Sequence, residues 1–356
     1  MAAHPLLQCP SPAPLLIGYP CHWVIPCIPR LLCLLCQSRT FSTSYRLLAE
    51  QGTTPAKSTT TKPAIKTPPT PTPTPNAPKP PKIIPPSPLE DAPRAYGKRV
   101  EEFTPKPLSR PIGMSLPPQP GENTGIDNRT LKQRRDDLVN YERHLKRREE
   151  LKSKMSRPYF RDWGNLKFHK GKTFVAPPRP FKRDLSLFFP NLYGQTLLKS
   201  DRSPRNTTPL LQGKVSIVSV FSSMWAENQA KTFVSKESNP ELESVLEQSK
   251  DVAQRVWINV EENTLKAWLI KMFVGGIRRN VGEPNWERYF VVRRGISDDI
   301  RENIGLLNSS VGYVYLVDSE CRIRWAGSGP SEDHERDGLV KGVQRLVEEV
   351  KSSKKS

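Results

Sequence analysis

The stretch that decides the fold is Lys214–Gln229, with the sequence KVSIVSVFSSMWAENQ. Its first part, Val215–Phe221, is a short and almost wholly apolar run that is rich in β-branched residues. That composition is typical of a central strand buried on both faces of a sheet. Two serines follow, and residues 225–230 then have the composition of the first turns of a helix. The stretch therefore predicts a buried strand, a tight turn and a helix.

This order resembles the redox site of thioredoxin-like proteins, in which a Cys-x-x-Cys motif lies at the start of the helix. When the phenylalanine and the tryptophan of the two patterns are aligned, Ala226 and Gln229 occupy the two cysteine positions. Thioredoxin-like enzymes also carry a cis-proline before the fourth strand, where this chain has Ser309–Gly312 (SSVG). We therefore expect the scaffold of a redox domain with degenerate redox positions and without the redox dithiol.

The residues after Gln229 predict the remainder of such a domain. Apolar runs indicate four further strands, at residues 255–260, 288–294, 312–317 and 321–326. The last two runs flank a three-residue loop, which is typical of a hairpin. The predicted order is β-α-β-α-β-α-β-β-α, and it indicates an α/β, thioredoxin-like domain over residues 214–352.

One predicted helix of this domain begins after Asn263, a suitable N-cap, and ends at the glycine pair 275–276. Four apolar residues recur along it with the spacing of one helical face: Leu265, Trp268, Leu269 and Met272. We expect this face to be buried, and Trp268 in particular to belong to the core.

The chain before this domain divides by composition. Residues 1–48 contain no Asp or Glu, carry three arginines and include a Ser/Thr cluster, which is the pattern of a mitochondrial transit peptide. Residues 49–126 form a predicted Pro/Thr-rich disordered linker, and 20 of the 37 prolines lie between residues 51 and 120. Proline fixes φ and removes a hydrogen-bond donor, so we expect this linker to be an extended spacer.

The cysteines bound the chemistry of the mature chain. Five of the six fall within the predicted transit peptide, which leaves Cys321 alone. A single cysteine excludes an internal disulfide and a thiolate metal site. We expect no catalytic residue, no cofactor and no metal ligand.

Residues 127–156 predict a charged amphipathic helix. Leu131, Leu138 and Leu145 recur every seven residues and form a narrow apolar stripe on a strongly ionic surface. The stripe is too thin for a core helix. Either this helix is solvated and lies on the domain, or it docks a partner.

Residues 157–213 form an aromatic and basic lead-in segment before the decisive strand. Eight candidates for binding a partner or a membrane lie at its start: Arg157, Tyr159, Phe160, Arg161, Trp163, Lys167, Lys170 and Lys172. The cations would meet anionic headgroups and the aromatic rings would supply apolar contact. Such rings could also stack on single-stranded nucleic acid. Alternatively, the rings anchor the segment on the domain and the cations only face water.

Three blocks of this sequence resemble the fungal mitochondrial ATP synthase assembly factor family: RPYFRDWGNLKFHKGKTFVAPP at residues 157–178, FFPNLYGQTLL at residues 188–198, and VSIVSVFSSMWAENQ at residues 215–229. The resemblance implies a thioredoxin-like fold and a non-enzymatic chaperone that binds newly made subunit a of the Fo sector. It also implies a peripheral position on the matrix side of the mitochondrial inner membrane. The transit peptide and the linker carry none of this resemblance.

The charge balance leaves a second class of function open. The chain has 55 basic and 36 acidic residues, a formal net charge of +19, which favours anionic partners of any kind. A basic mitochondrial RNA- or ribosome-associated protein would have the same charge. Because the sequence contains no recognisable RNA-binding motif, the assembly role is favoured and we expect no nucleic-acid partner.

Overall fold

The computed structural model describes residues 87–353 apart from residues 98, 128, 157–159, 202, 262 and 263, and apart from the side chains of residues 150, 153–156 and 264–271. The predicted transit peptide lies outside the described residues, as do most of the predicted linker and the candidates Arg157 and Tyr159. The predicted N-cap Asn263 and the side chain of Trp268 also lie outside them.

Within this part of the chain the strands are β1 Tyr193–Thr196, β2 Pro204–Asn206, β3 Val215–Phe221, β4 Ala253–Val260, β5 Tyr289–Val292, β6 Tyr313–Val317 and β7 Ile323–Ser328. The α-helices are α1 Leu131–Val139, α2 Tyr141–Ser156, α3 Arg161–Asn165, α4 Thr208–Leu211, α5 Met224–Val234, α6 Pro240–Gln248, α7 Thr264–Val281, α8 Asp298–Ile304 and α9 Asp333–Ser353. Short 3-10 turns span His169–Gly171, Arg183–Leu185 and Glu283–Arg288.

The seven strands form one mixed sheet with the order β2-β1-β5-β4-β3-β6-β7. Strands β3, β4 and β5 are parallel neighbours, and helices connect them in sequence. Strands β6 and β7 form an antiparallel hairpin that pairs with β3, and α9 follows it. This arrangement is the α/β, thioredoxin-like order that the sequence predicts.

Strand β3 lies inside this sheet, between β4 and β6, and is buried along its whole length. Val218 and Val220 pack in one large apolar cluster, and Val215 and Ile217 pack in another. Because alternate residues of a strand point to opposite faces, the two clusters cover the two sides of the sheet. The decisive strand is therefore a buried central strand, as predicted.

The predicted linker is wrong for its last part, because residues 87–126 lie on the domain. Leu89, Leu108 and Ile112 are buried in the cluster that contains Val218. The backbone of Leu108 donates to Val175 O at 3.0 Å. Proline prevents this segment from forming its own core, but an extended chain can still pack the apolar residues between its prolines against another surface. Proline density alone therefore overestimates the disorder.

Three predicted boundaries also differ. The charged helix is two helices, α1 and α2, separated at Asn140, and no residue of α1 is buried. The lead-in segment is not separate from the sheet, since β1 pairs with β5 and β2 pairs with β1. The predicted stop at the glycine pair 275–276 is wrong, because α7 continues to Val281. Later residues of α7 pack on the domain, and this packing offsets the roughly 0.5–1 kcal/mol cost of each glycine inside a helix.

Candidate functional site at the degenerate redox positions

Helix α5 begins directly after the central strand, and its start carries both degenerate redox positions. Ser223 caps the helix, and its side chain accepts a hydrogen bond from Ala226 N at 3.1 Å. Ala226 is fully buried in a small apolar cluster with Leu197, Phe221 and Tyr289. A methyl group sealed in this way supplies neither a nucleophile nor a ligand.

Gln229 is also buried and serves as a polar cross-link. Its Nε2 donates to Lys170 O at 2.8 Å, and its Oε1 accepts from Gly312 N at 3.0 Å. The side chain therefore joins α5 to the lead-in segment and to the loop before β6. A Cβ on Gly312 would lie 2.1 Å from Ala226 O, so the loop backbone approaches the start of α5 as closely as glycine permits.

The lead-in segment passes over these positions in a sharp turn at His169–Gly171. Gly171 has a φ of 83°, and a Cβ there would lie 2.6 Å from Val311 Cγ2. Lys170 is itself left-handed, with a φ of 57°. The turn holds the Lys170 carbonyl against Gln229 and leaves the Lys170 side chain exposed.

Helix α3 is fixed at the same end of the sheet. Asn308 Nδ2 donates to Asp162 O at 2.9 Å, and Ser309 N donates to Asp162 Oδ2 at 3.2 Å. The Ser222 hydroxyl, in the turn between β3 and α5, donates to Ser309 O. This chain of hydrogen bonds places α3 beside the loop before β6 and beside the start of α5.

Four large apolar side chains project into water from these two elements. Their exposed fractions are 74% for Phe160, 60% for Trp163, 78% for Met224 and 51% for Trp225. Lys167 and Lys170 are exposed beside them in sequence. We call these six residues the apical surface. An exposed apolar group rimmed by cations is suited to contact with an apolar or anionic partner.

The lead-in candidates have different environments. Phe160, Trp163, Lys167 and Lys170 are exposed, as the binding interpretation requires. Arg161 is half-buried and donates to Gly97 O at 2.6 Å. The segment therefore contains side chains that are exposed and a side chain that bonds to another part of the fold.

The prediction that Lys172 binds a partner or a membrane is wrong, because this residue is buried and cannot reach either one. Its Nζ lies 2.6 Å from Glu335 Oε2 and 2.9 Å from Pro330 O. The second carboxylate oxygen of Glu335 accepts from Ala176 N at 2.8 Å. The sequence pattern did not reveal this pair because its two members are 163 residues apart.

Sequence reasoning missed Met224 and Trp225, and it placed Met272 on a buried face. Met272 is 55% exposed, and its neighbour Phe273 is 63% exposed. Apolar spacing alone does not distinguish a helical face that meets the core from one that faces outward. One signal that α7 differs from an ordinary surface helix was present in the sequence. The helix has 18 residues and none of them is acidic, which is unusual in a protein with 36 acidic residues.

Cys321, the remaining cysteine, is remote from these positions. It lies in the turn before β7 with a φ of 65°, and burial raises the pKa of its thiol to about 12. Val317 of β6 pairs with Ser216 near the start of β3, so this turn lies at the opposite end of the sheet from α5. Among the described residues, no group of three or more His, Cys, Asp or Glu side chains is arranged to hold a metal ion.

In the described part of the chain, no helix combines the length and the apolar character that are needed to cross a bilayer.

Comparison with known families gives one extensive match. Residues 95–346 match the family model described as ATP10 protein. The chain is 31% identical over 242 residues to the protein named "Mitochondrial ATPase complex subunit ATP10" of Eremothecium gossypii, and the alignment covers 67% of this chain and 85% of that protein. It is 29% identical over 257 residues to the protein of the same name from Saccharomyces cerevisiae, covering 69% and 88% of the two chains.

Two of the solved structures to which this chain is similar are those of a thiol:disulfide interchange protein and of a related protein. One is a putative DsbE from Chlorobium tepidum, with 12% identity, a TM-score of 0.31, and coverage of 46% of this chain and 96% of that chain. The other is a DsbF homologue from Corynebacterium diphtheriae, with 13% identity, a TM-score of 0.32, and coverage of 47% and 91%.

Proposed function

Because the chain belongs to the ATP10 protein family, we propose that it is a non-enzymatic assembly factor of the mitochondrial ATP synthase. In this proposal it acts as a chaperone for newly made subunit a of the Fo sector. It works as a peripheral protein on the matrix side of the inner membrane. The observation that carries the proposal is the apical surface, at which apolar side chains and cations surround the degenerate redox positions Ala226 and Gln229.

The absence of enzymatic chemistry is part of the proposal and rests on three residues. Ala226 and Gln229 replace the dithiol, and both are buried by packing or by hydrogen bonds. Cys321 is buried at the other end of the sheet, and its raised pKa keeps the thiol protonated at neutral pH. Since the thiolate is the nucleophile in disulfide exchange, such a thiol is a poor reagent.

The apical surface is suited to a hydrophobic client. A newly made membrane protein presents apolar segments before it is assembled, and burial of apolar surface stabilises a complex by about 25 cal/mol per Å². Trp163 and Trp225 offer large, rigid side chains of the type that dominates binding energy at interfaces. Lys167 and Lys170 add attraction to anionic headgroups where the client meets the membrane.

The test is a crosslinked pull-down from mitochondria that compares recovery of subunit a with recovery of RNA. The variant Trp163→Ser/Trp225→Ser removes two exposed rings. The matched control Leu116→Ser/Leu185→Ser removes two exposed apolar side chains elsewhere, which are 75% and 66% exposed. We expect the first variant to lose most of the recovered subunit a and the control to retain it, at equal melting temperature.

Two outcomes would contradict the proposal. Equal recovery of subunit a from both variants would show that the apical surface does not bind subunit a. Recovery of RNA without subunit a from the unaltered chain would favour the basic RNA- or ribosome-associated alternative.

A further inference from the structure

Helix α7, Thr264–Val281, is cationic and exposes apolar side chains. Its sequence, TLKAWLIKMFVGGIRRNV, contains four basic residues and no acidic residue, so its side chains carry a formal charge of +4. Met272 is 55% exposed and Phe273 is 63% exposed. These features differ from those of a solvated surface helix, which usually mixes both signs of charge and presents polar residues to water.

The exposed face of α7 is fixed by the contacts of the opposite face. Val274, Ile277 and Val281 are half-buried and pack against the small apolar cluster beneath the helix. Their spacing of three and four residues places them on one side. Arg278 Nε donates to Leu197 O at 2.7 Å, and the Arg278 carbonyl accepts from Trp286 Nε1 at 3.0 Å. Met272 therefore faces outward in the folded protein and cannot turn inward without the loss of these contacts.

The outward face of the described part of α7 also carries a cation. Arg279, which is exposed, follows Met272 by seven residues and belongs to the same side. Exposed apolar side chains with a cation on the same side fit a helix that lies in the plane of a membrane interface.

We propose that α7 lies in the headgroup region of an anionic bilayer, with Met272 and Phe273 inserted among the lipids. The proposal rests on the proposed function for the identity of that bilayer. It assigns apolar insertion into the lipid to α7 and client contact to the rings of the apical surface, whose Lys167 and Lys170 add attraction to headgroups. A lipid surface fits this face because Met272 and Phe273 are exposed beside the exposed cation Arg279, on a helix whose sequence contains no acidic residue. Each cation near such a surface strengthens binding about fivefold.

The test is co-flotation of the protein purified from mitochondria with vesicles of equimolar phosphatidylcholine and phosphatidylglycerol. We expect Met272→Ser/Phe273→Ser to weaken binding at least about tenfold, because two exposed apolar side chains no longer enter the lipid. Arg279→Glu should weaken it several-fold on these vesicles and leave binding to pure phosphatidylcholine unchanged. The control Leu116→Ser/Leu185→Ser should bind as the unaltered protein does. All three substitutions change exposed side chains, and equal melting temperatures would show that the fold is retained.

The outcomes separate this proposal from the proposed function. Weakened flotation together with normal crosslinking to subunit a supports both. Unchanged flotation of Met272→Ser/Phe273→Ser overturns the lipid assignment. If flotation is unchanged and crosslinking to subunit a is lost, α7 is a client surface, so the lipid assignment is wrong while the assembly function stands. If Met272→Ser/Phe273→Ser weakens flotation but no subunit a is recovered even from the unaltered protein, the function is overturned and the lipid contact stands.

Discussion

Lys170 and Lys172 lie two residues apart in one aromatic and basic block, yet they have opposite environments. Lys170 is exposed on the turn above the degenerate redox positions. Lys172 is buried and holds Glu335 at 2.6 Å. The chain changes from surface to core at Gly171, whose left-handed backbone turns the segment into the domain. Composition describes both lysines identically, so the distinction depends on what the folded chain brings to each of them.

The buried half of the block is attached to the domain by polar contacts as well as by packing. Ser328 Oγ, at the end of β7, accepts from Thr173 N at 3.1 Å and from Phe174 N at 3.0 Å. Phe174 itself packs in the cluster that contains Val218. These contacts make residues 172–176 part of the fold. The exposed half, from Phe160 to Lys170, is therefore a surface segment that is attached to the fold through residues 172–176.

The largest expected effect on the free energy of unfolding comes from a substitution that disrupts the buried half of the block. Glu335→Ala should lower the free energy of unfolding by about 3–5 kcal/mol, because it removes the buried carboxylate that pairs with the buried Lys172 ammonium. Pro330 O and the exposed Glu332, at 3.5 Å, would remain as its partners. The same change also removes the acceptor for Ala176 N. Chemical denaturation followed by tryptophan fluorescence would measure the loss.

Lys170→Ala is the matched control for this experiment, since it removes the exposed lysine of the same block. We expect its effect on the free energy of unfolding to stay within about 0.5 kcal/mol, as is usual for surface substitutions. Similar losses from Glu335→Ala and Lys170→Ala would mean that the two lysines do not differ as the structure indicates.

A smaller effect is expected at the link between the two halves. Gln229→Ala removes both hydrogen bonds that join α5 to Lys170 O and to Gly312 N, and it leaves buried backbone groups without these partners. We expect a loss of about 1–3 kcal/mol in the free energy of unfolding. The turn at His169–Gly171 should also exchange its amide hydrogens faster, which hydrogen-exchange mass spectrometry would detect.

Asn228→Ala is the control at the neighbouring exposed position of α5. If Gln229→Ala matched Asn228→Ala in stability and in exchange, the second degenerate redox position would have no structural role.

The sequence predicted the central part of the fold well because its signals are local. The run Val215–Phe221 matches β3 at both ends, and β6 and β7 form the hairpin predicted over residues 312–317 and 321–326. Five apolar residues of α9 recur with the spacing of one helical face, and all five are buried: Leu339, Val343, Leu346, Val347 and Val350. In each case the pattern within a few residues determines the structure.

The errors came from contacts between distant parts of the chain. Lys172 requires Glu335, and Leu89 requires a cluster that includes Val218 and Ile304, both more than 100 positions away. Met272 has the spacing of a core residue, but the face that packs is the one carrying Val274 and Ile277. Neither composition nor periodicity contains this information. The apical surface was therefore only partly predictable: its lead-in half was found, and Met224 and Trp225 were not.

The smallest effect on stability, and the sharpest test of the exposed half, is expected from Lys167→Gln/Lys170→Gln. Both side chains are exposed, and the Lys167 ammonium lies 4.8 Å from the centre of the Phe168 ring, a contact worth about 0.5–1 kcal/mol at an exposed site. The free energy of unfolding should therefore fall by about 1 kcal/mol or less. Binding to anionic membranes should fall more, by about 30-fold, since two cations near the surface contribute about 2 kcal/mol together.

The control Lys341→Gln/Lys351→Gln makes the same change of charge on exposed residues of α9. Sedimentation with inner-membrane vesicles at low and high salt would compare the two variants, and the difference between them should shrink at high salt because screening weakens surface attraction. Equal membrane binding by both variants would mean that Lys167 and Lys170 only face water, and the contrast between Lys170 and Lys172 would then concern folding alone.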